Sequence, residues 1–201
     1  MNSTVGNILP EGWKNYNFKE ITNLITCGVA KRPQYVEIGV PFLSARNVKE
    51  YNISLDKYYC VTNETYEALT KSNKPTKGDI LYSRVGSFGE AALVDFDLEF
   101  AVYVSLTLIK VNPNILYNKF LVYLLNSPLV RIMAKNSTTG IGVQNLNVGA
   151  VRKFILPIPS LEEQKRIVAK IDTLFAKIDK AITLTEESLK QAKNLLPSVL
   201  N

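Results

Sequence analysis

Between Ser160 and Leu196 every seventh position is apolar: Leu161, Val168, Phe175, Ile182, Leu189 and Leu196. Ile171, Ile178, Ala192 and Val199 follow four of these by three positions, and Ile167, Leu174, Ala181 and Leu195 widen the stripe. An apolar seam sustained over six heptads specifies one amphipathic helix of the coiled-coil type. Pro159 closes the preceding strand, Ser160 and Glu163 have the spacing of a capping box, and Pro197 is expected to end the helix. About 36 residues at about 1.5 Å per residue make a rod of about 54 Å. A helix of that length cannot bury its whole stripe on a small domain. Part of the seam carried by Leu161, Val168, Ile171, Phe175, Ile178, Ile182 and Leu189 is therefore expected to pair with another helix of the same kind. Gln164 and Thr185 interrupt the second row, and polar seam positions of this sort fix register and choice of partner. The alternative is a terminal helix folded back on its own domain.

The remainder bounds the function. Residues 1–159 suffice for one domain ahead of a helical region over 160–201. No run approaches the roughly 18 apolar residues of a membrane span, and the N-terminus lacks a basic stretch followed by an apolar one, so the expected location is the cytoplasm, away from any membrane. Cys27 and Cys60 have no metal-ligand spacing and are too few for a disulfide framework. Histidine is absent, which removes histidine triads, histidine metal sites and histidine acid-base chemistry together. No cofactor or metal is expected. The formal charge of +6 is uneven: from Leu161 on there are seven basic and six acidic side chains, leaving 17 basic against 12 acidic before it. The globular part holds the excess, which favours a polyanionic partner.

Taken in order, Leu9-Pro10-Glu11-Gly12-Trp13 reads as a turn delivering an aromatic side chain, followed by a short helix or strand with Phe18, Ile21, Leu24 and Ile25. Lys31 and Arg32 precede Pro33 in a loop and are candidates for phosphate contact. The apolar strand at Val40 to Leu43 ends in a basic tip. Its Arg46 and Asn47 are the residue types that pair bidentately with guanine and adenine edges. A helix is expected from Thr62 to Thr70 with Tyr66 and Leu69 on the core. Lys77-Gly78-Asp79 turns into a strand that Gly86 and Gly89 break, with Ser83, Arg84 and Ser87 expected to be exposed at the mouth of the turn. Ala101 to Lys110 reads as one further strand, and Tyr117 to Leu125 and Val130 to Ala134 as two helices. The amide-rich loop containing Thr138, Thr139, Gln144 and Asn145 is able to donate and accept hydrogen bonds. Lys153, before a strand from Phe154 to Ile158, is a further candidate for phosphate contact, and Ser83, Arg84, Ser87 and the loop from Thr138 to Asn145 are candidates for contact with base edges. The fold class is α+β: one mixed domain followed by a long helix.

Several stretches resemble the specificity subunit of type I restriction-modification systems. They are Leu9 to Trp13, Gly39 to Leu43, Lys77 to Leu81 with Ser83-Arg84 and Gly86-Ser87, and Thr139-Gly140 with Gln144-Asn145. The most specific is Leu156 to Val168 with Ile171-Asp172 and Leu174-Phe175, which looks like the family's helical conserved region. The resemblance implies a target recognition domain that binds half of a bipartite site on double-stranded DNA. It also implies partners: modification subunits docked directly, and restriction subunits reached through the complex. Family members usually carry two such domains, each followed by a helix, and the helices pair antiparallel. This chain has one of each, which implies pairing with a second copy, or with the other half of a longer or split protein. Enzymatic parts are missing: there is no Asn/Asp-Pro-Pro-Tyr/Phe motif for amino methylation, and Asn112-Pro113-Asn114 sits where a turn is expected. Asp95, Asp97 and Glu99 resemble a metal-binding acidic run but lack a basic catalytic residue at set spacing. The expected role is non-catalytic recognition. The alternative is a helical scaffold, or a regulatory protein that docks a modification subunit without reading DNA.

Overall fold

The computed structural model describes residues 9–139 and 144–199, with side chains as far as Lys193. It divides into two units, one up to Gln164 and one from Lys165 on. In chain order the elements are β1 (Lys14–Asn17), β2 (Thr22–Cys27), β3 (Val40–Leu43), β4 (Val48–Lys49), β5 (Asn52–Ile53), β6 (Tyr59–Val61), α1 (Asn63–Thr70), β7 (Ile80–Ser83), β8 (Ala91–Leu93), β9 (Ala101–Val102) and β10 (Leu106–Val111). Then follow α2 (Asn118–Leu125), α3 (Pro128–Asn136), β11 (Thr138–Thr139), β12 (Asn145–Leu146), α4 (Val148–Val151), β13 (Ile155–Ile158) and α5 (Leu161–Val199). The mixed α+β class and the long terminal helix are as expected.

Among the described residues, two larger sheets and three two-stranded ones build the first unit. An antiparallel sheet runs β2-β10-β7-β8, and a mixed one runs β6-β3-β9, with β3 and β9 parallel. Leu43 of β3, Leu81 of β7, Ala92 of β8, Val102 of β9 and Leu106 and Leu108 of β10 share one core with Val48, Val94 and Phe100. Phe42, Val61, Tyr66 and Ala101 form a second cluster where α1 meets the mixed sheet, with Leu69 partly buried against it. The opening stretch resolves into strand, 3-10 helix (Phe18–Ile21) and strand. Local capping follows the sequence: Thr62, Ser127, Asn147 and Ser160 each accept a backbone N–H from the first turn of their helix, at 3.2, 3.4, 2.7 and 3.3 Å.

The expected single strand over Ala101 to Lys110 is two strands in different sheets. Leu106 N donates to Tyr103 O at 2.9 Å, closing a turn at Val104 and Ser105 that carries the chain from one sheet to the other. Ser105 Oγ accepts from Ala45 N at 3.0 Å and Ser105 O from Arg84 N at 2.9 Å, so distant partners hold the turn against the strand propensity of Val and Tyr. Pro197 does not end α5, which runs on to Val199. Proline's fixed φ is itself helical, and in a last turn it forfeits one backbone hydrogen bond.

Gln164 also departs from its expected part in helix pairing. It is fully buried in the first unit, where Nε2 donates to Ile115 O (2.8 Å) and Pro159 O (2.9 Å) and Oε1 accepts from Tyr117 N (2.8 Å). Such three-way satisfaction makes it an internal fastener of that unit. Along α5, Leu161 and Ile171 are half-buried and Val168 is buried. Phe175, Ile178, Ile182 and Leu189 are 40%, 52%, 51% and 55% exposed. The side chains of Leu195, Leu196 and Val199 lie outside the described residues. Among the described residues no helix is long and apolar enough to cross a membrane.

Candidate nucleic-acid interface

The end of β2, the tip after β3 and the turn after β7 converge on an open cleft of about 590 Å³. Gly28 makes the convergence possible. A Cβ there would lie 1.8 Å from Val102 O, so only glycine lets this chain segment press against β9. Past it, Val29 bridges Tyr103 and accepts from Val104 N at 3.0 Å, which places Arg32 beside Tyr103. On another wall Gly86 takes a φ of 76°, a left-handed conformation that favours glycine, and turns Ser87 outward.

Arg32, Arg46 and Ser87, three of the anticipated contact residues, line this cleft with Lys49, Tyr35, Tyr59 and Tyr103. No carboxylate is among the described lining residues; Glu90 lies 3.8 Å from the Lys49 ammonium. The Arg32 guanidinium stands 5.9 Å from the Tyr103 ring centroid. A hydrogen bond with the Tyr103 side chain, helped by the field of the neighbouring phenols, raises its pKa above the ordinary guanidinium value. Tyr35 and Tyr59 stack at 4.2 Å with ring planes 7° apart. Cations interleaved with phenols in a concave, acid-free surface suit a polyanion carrying flat bases. Lys49 and the three tyrosines escaped sequence reasoning because they lie on separate segments; the only signal was the density of tyrosine near basic residues.

Asn47, Ser83 and Arg84 are not exposed as expected. Asn47 is 4% exposed: its Oδ1 accepts from Ser44 N at 3.0 Å, and its Nδ2 donates to Ser54 O (3.1 Å) and Lys57 O (2.8 Å). Ser83 is fully buried, donating to Ser87 O at 2.6 Å and accepting from Glu90 N at 2.9 Å. Arg84, 6% exposed, donates through Nε to Leu146 O (2.8 Å), through one terminal nitrogen to Val104 O (2.9 Å) and through the other to Asn145 Oδ1 (3.3 Å). All three are struts behind the wall. Their polarity serves backbone groups that secondary structure leaves open.

The remaining candidates are spread out. Lys31 is exposed in the Arg32 loop and Lys153 is exposed after α4. Thr139, Gln144 and Asn145 are exposed on or beside the β11–β12 hairpin, where Thr139 pairs with Asn145. Thr138 is half-buried and donates to Lys135 O at 2.8 Å. A bridge from Val85 to Asn145 and the Arg84 contacts tie this hairpin to the cleft wall. Residues 140–143 of the same loop lie outside the described residues. Asp79 accepts from Thr76 N at 2.8 Å and pairs with Lys110, so the Lys77-Gly78-Asp79 motif builds a turn. Asp97 and Glu99 pair with Lys77 and Lys74; Lys74 draws the Glu99 carboxyl below its usual range. Cys27 and Cys60 are half-buried free thiols.

The chain matches the family model described as type I restriction modification DNA specificity domain over residues 10–192. It is 24% identical over 196 residues to the type I restriction enzyme EcoBI specificity subunit of Escherichia coli, covering 96% of this chain and 41% of that one. The putative type I restriction enzyme MjaX specificity subunit of Methanocaldococcus jannaschii is 26% identical over 193 residues, covering 90% and 44%. The chain thus spans less than half the length of these relatives. Among solved structures, a chain from a study of complex assembly and conformational transition of the type I R-M system superposes with a TM-score of 0.67 at 21% identity, covering 94% of this chain and 45% of that one. The HsdS subunit from Thermoanaerobacter tengcongensis superposes at 0.63 with 20% identity, covering 88% and 41%. The fold is shared with these structures, and by the match along most of its length the chain belongs to the type I restriction modification DNA specificity domain family.

Proposed function

We propose that this chain is a DNA sequence-specificity subunit of a type I restriction-modification system that reads half of a bipartite target and performs no chemistry itself. The observation that carries the reading is the cleft, where Arg32, Arg46 and Lys49 meet three tyrosines and no acid. Arg46, exposed and without a protein partner among the described residues, holds phosphate together with Lys31 and Lys49, and side chains on the cleft and hairpin read base edges. The half-exposed row of Ile178, Ile182 and Leu189 on α5 supports antiparallel pairing with the same helix of a second copy. Modification subunits dock on the assembled helices and restriction subunits join through them.

The test is co-expression with the neighbouring modification subunit in a methylation-free host, followed by genome-wide mapping of modified bases. A split palindrome is the expected result, because two identical domains related by a two-fold axis read identical half-sites. An asymmetric split motif would replace the second copy by a different recognition domain. Docking without methylation would refute DNA reading.

A further inference from the structure

Within the cleft the three cations are not equivalent. Arg46 is exposed with no protein partner among the described residues, and Lys49 is exposed beside Glu90. Arg32 alone is flanked by aromatic side chains: it stands against Tyr103, and the stacked pair Tyr35 and Tyr59 lines the same cleft. Its loop is held at both ends, by the Val29 bridge to Tyr103 before it and the Val36 bridge to Cys60 after it. A phosphate accepts a cation from many directions, so a mobile lysine serves it well. Base discrimination is different: the guanidinium fork must lie in the base plane, and an arginine already oriented loses less side-chain entropy on binding.

We infer that Arg32, held beside the Tyr103 ring, is a specificity-determining residue that donates bidentately to O6 and N7 of a guanine in the major groove. The inference rests on the DNA-reading function proposed above and narrows it to one side chain and one base. Tyr103 is a positioning residue. Its ring lies 5.9 Å from the guanidinium carbon and restricts that side chain, and the guanidinium supplies the two-donor fork that lysine lacks.

The experiment uses the full chain assembled with its modification subunit, comparing the methylation motif of wild type, Arg32→Lys and Tyr103→Leu, with duplex binding measured over a range of salt. Arg32 is exposed and Tyr103 half-buried, and Tyr103→Leu keeps an apolar neighbour for Phe42, which the Tyr103 ring meets edge-on at 5.9 Å, so the fold is retained. The expected result is that both variants relax one G·C position of the half-site, with about a tenfold loss of preference there, while the other positions and the salt slope stay as in wild type. Undiminished preference in either variant would overturn the inference, as would a half-site without guanine. Arg32→Ala supplies the contrast: uniform weakening on all sequences, with the salt slope reduced by about one, would make Arg32 a phosphate contact and overturn it as well. If the wild-type assembly shows no sequence preference at all, the DNA-reading function itself fails.

Discussion

Arg84→Ala separates a strut from a DNA contact. In the folded chain the guanidinium reaches Leu146 O at 2.8 Å, Val104 O at 2.9 Å and Asn145 Oδ1 at 3.3 Å, with 6% of the residue exposed. Hydrogen bonds to a charged group contribute about 1.5–3 kcal/mol each, and the acceptors left behind in a dry site carry a desolvation penalty of about 1–3 kcal/mol. Allowing for non-additivity between neighbours, the two short bonds together place the loss at about 3–5 kcal/mol, a large share of the roughly 5–15 kcal/mol that stabilises a domain. Arg84→Lys should recover only part of it, because one ammonium cannot span three diverging acceptors. The assay is urea unfolding of the full chain at fixed protein concentration, followed by DNA affinity under conditions where the variant is still folded. A stability loss under about 1 kcal/mol together with a marked fall in DNA affinity would refute the strut assignment and return Arg84 to the DNA-contacting surface.

Gln164→Leu should destabilise the first unit by about 1–3 kcal/mol, since Tyr117 N–H, Ile115 O and Pro159 O lose their side-chain partner together; unfolding midpoints check it. Replacing Ile178 and Ile182 by Lys should leave the monomer's stability nearly unchanged, because both are already half exposed, while abolishing self-association in sedimentation analysis. The Lys74–Glu99 pair should add no pH dependence to stability between about pH 5 and pH 10. Glu99 has a lowered pKa, so its contribution is present above its ordinary value of 4.5 and lost as pH falls. Lys74 has a raised one, so its contribution is present below 10.5 and lost as pH rises. Comparing wild type with Glu99→Gln across that range tests the flatness.

What the sequence displayed well was short-range. The Ser160 cap is satisfied within its own first turn and the Lys77-Gly78-Asp79 turn closes on Thr76 three residues back, and the structure reproduces both. The heptad row was legible for the same reason, since its period needs no knowledge of the rest of the chain. The misread residues depend on remote partners: Arg84 meets acceptors on Val104 and Leu146, Asn47 is enclosed by the Ser54 to Lys57 segment, and Gln164 fastens to Ile115 and Tyr117. A polar side chain that satisfies a distant backbone group looks, in sequence, the same as one facing solvent. The cleft was half legible: Arg32, Arg46 and Ser87 stood out by type, while Lys49 and the tyrosines become a site only when β2, β3 and β7 bring their loops together.

The pairing of β1 with β13 joins Lys14 to Ile158 and Asn17 to Ile155, so the polypeptide enters and leaves the recognition body side by side along one two-stranded seam. A body whose two ends meet can be exchanged as a cassette: the graft needs only two cuts, about one strand's width apart, and keeps the cleft whole, provided the incoming body offers Gln164 the backbone groups that Ile115 and Tyr117 give it. Swapping the segment between these strands for that of a relative should therefore transplant a complete binding surface onto an unchanged α5. New specificities in proteins of this plan can then arise by recombination at one edge, without reworking the assembly that uses them.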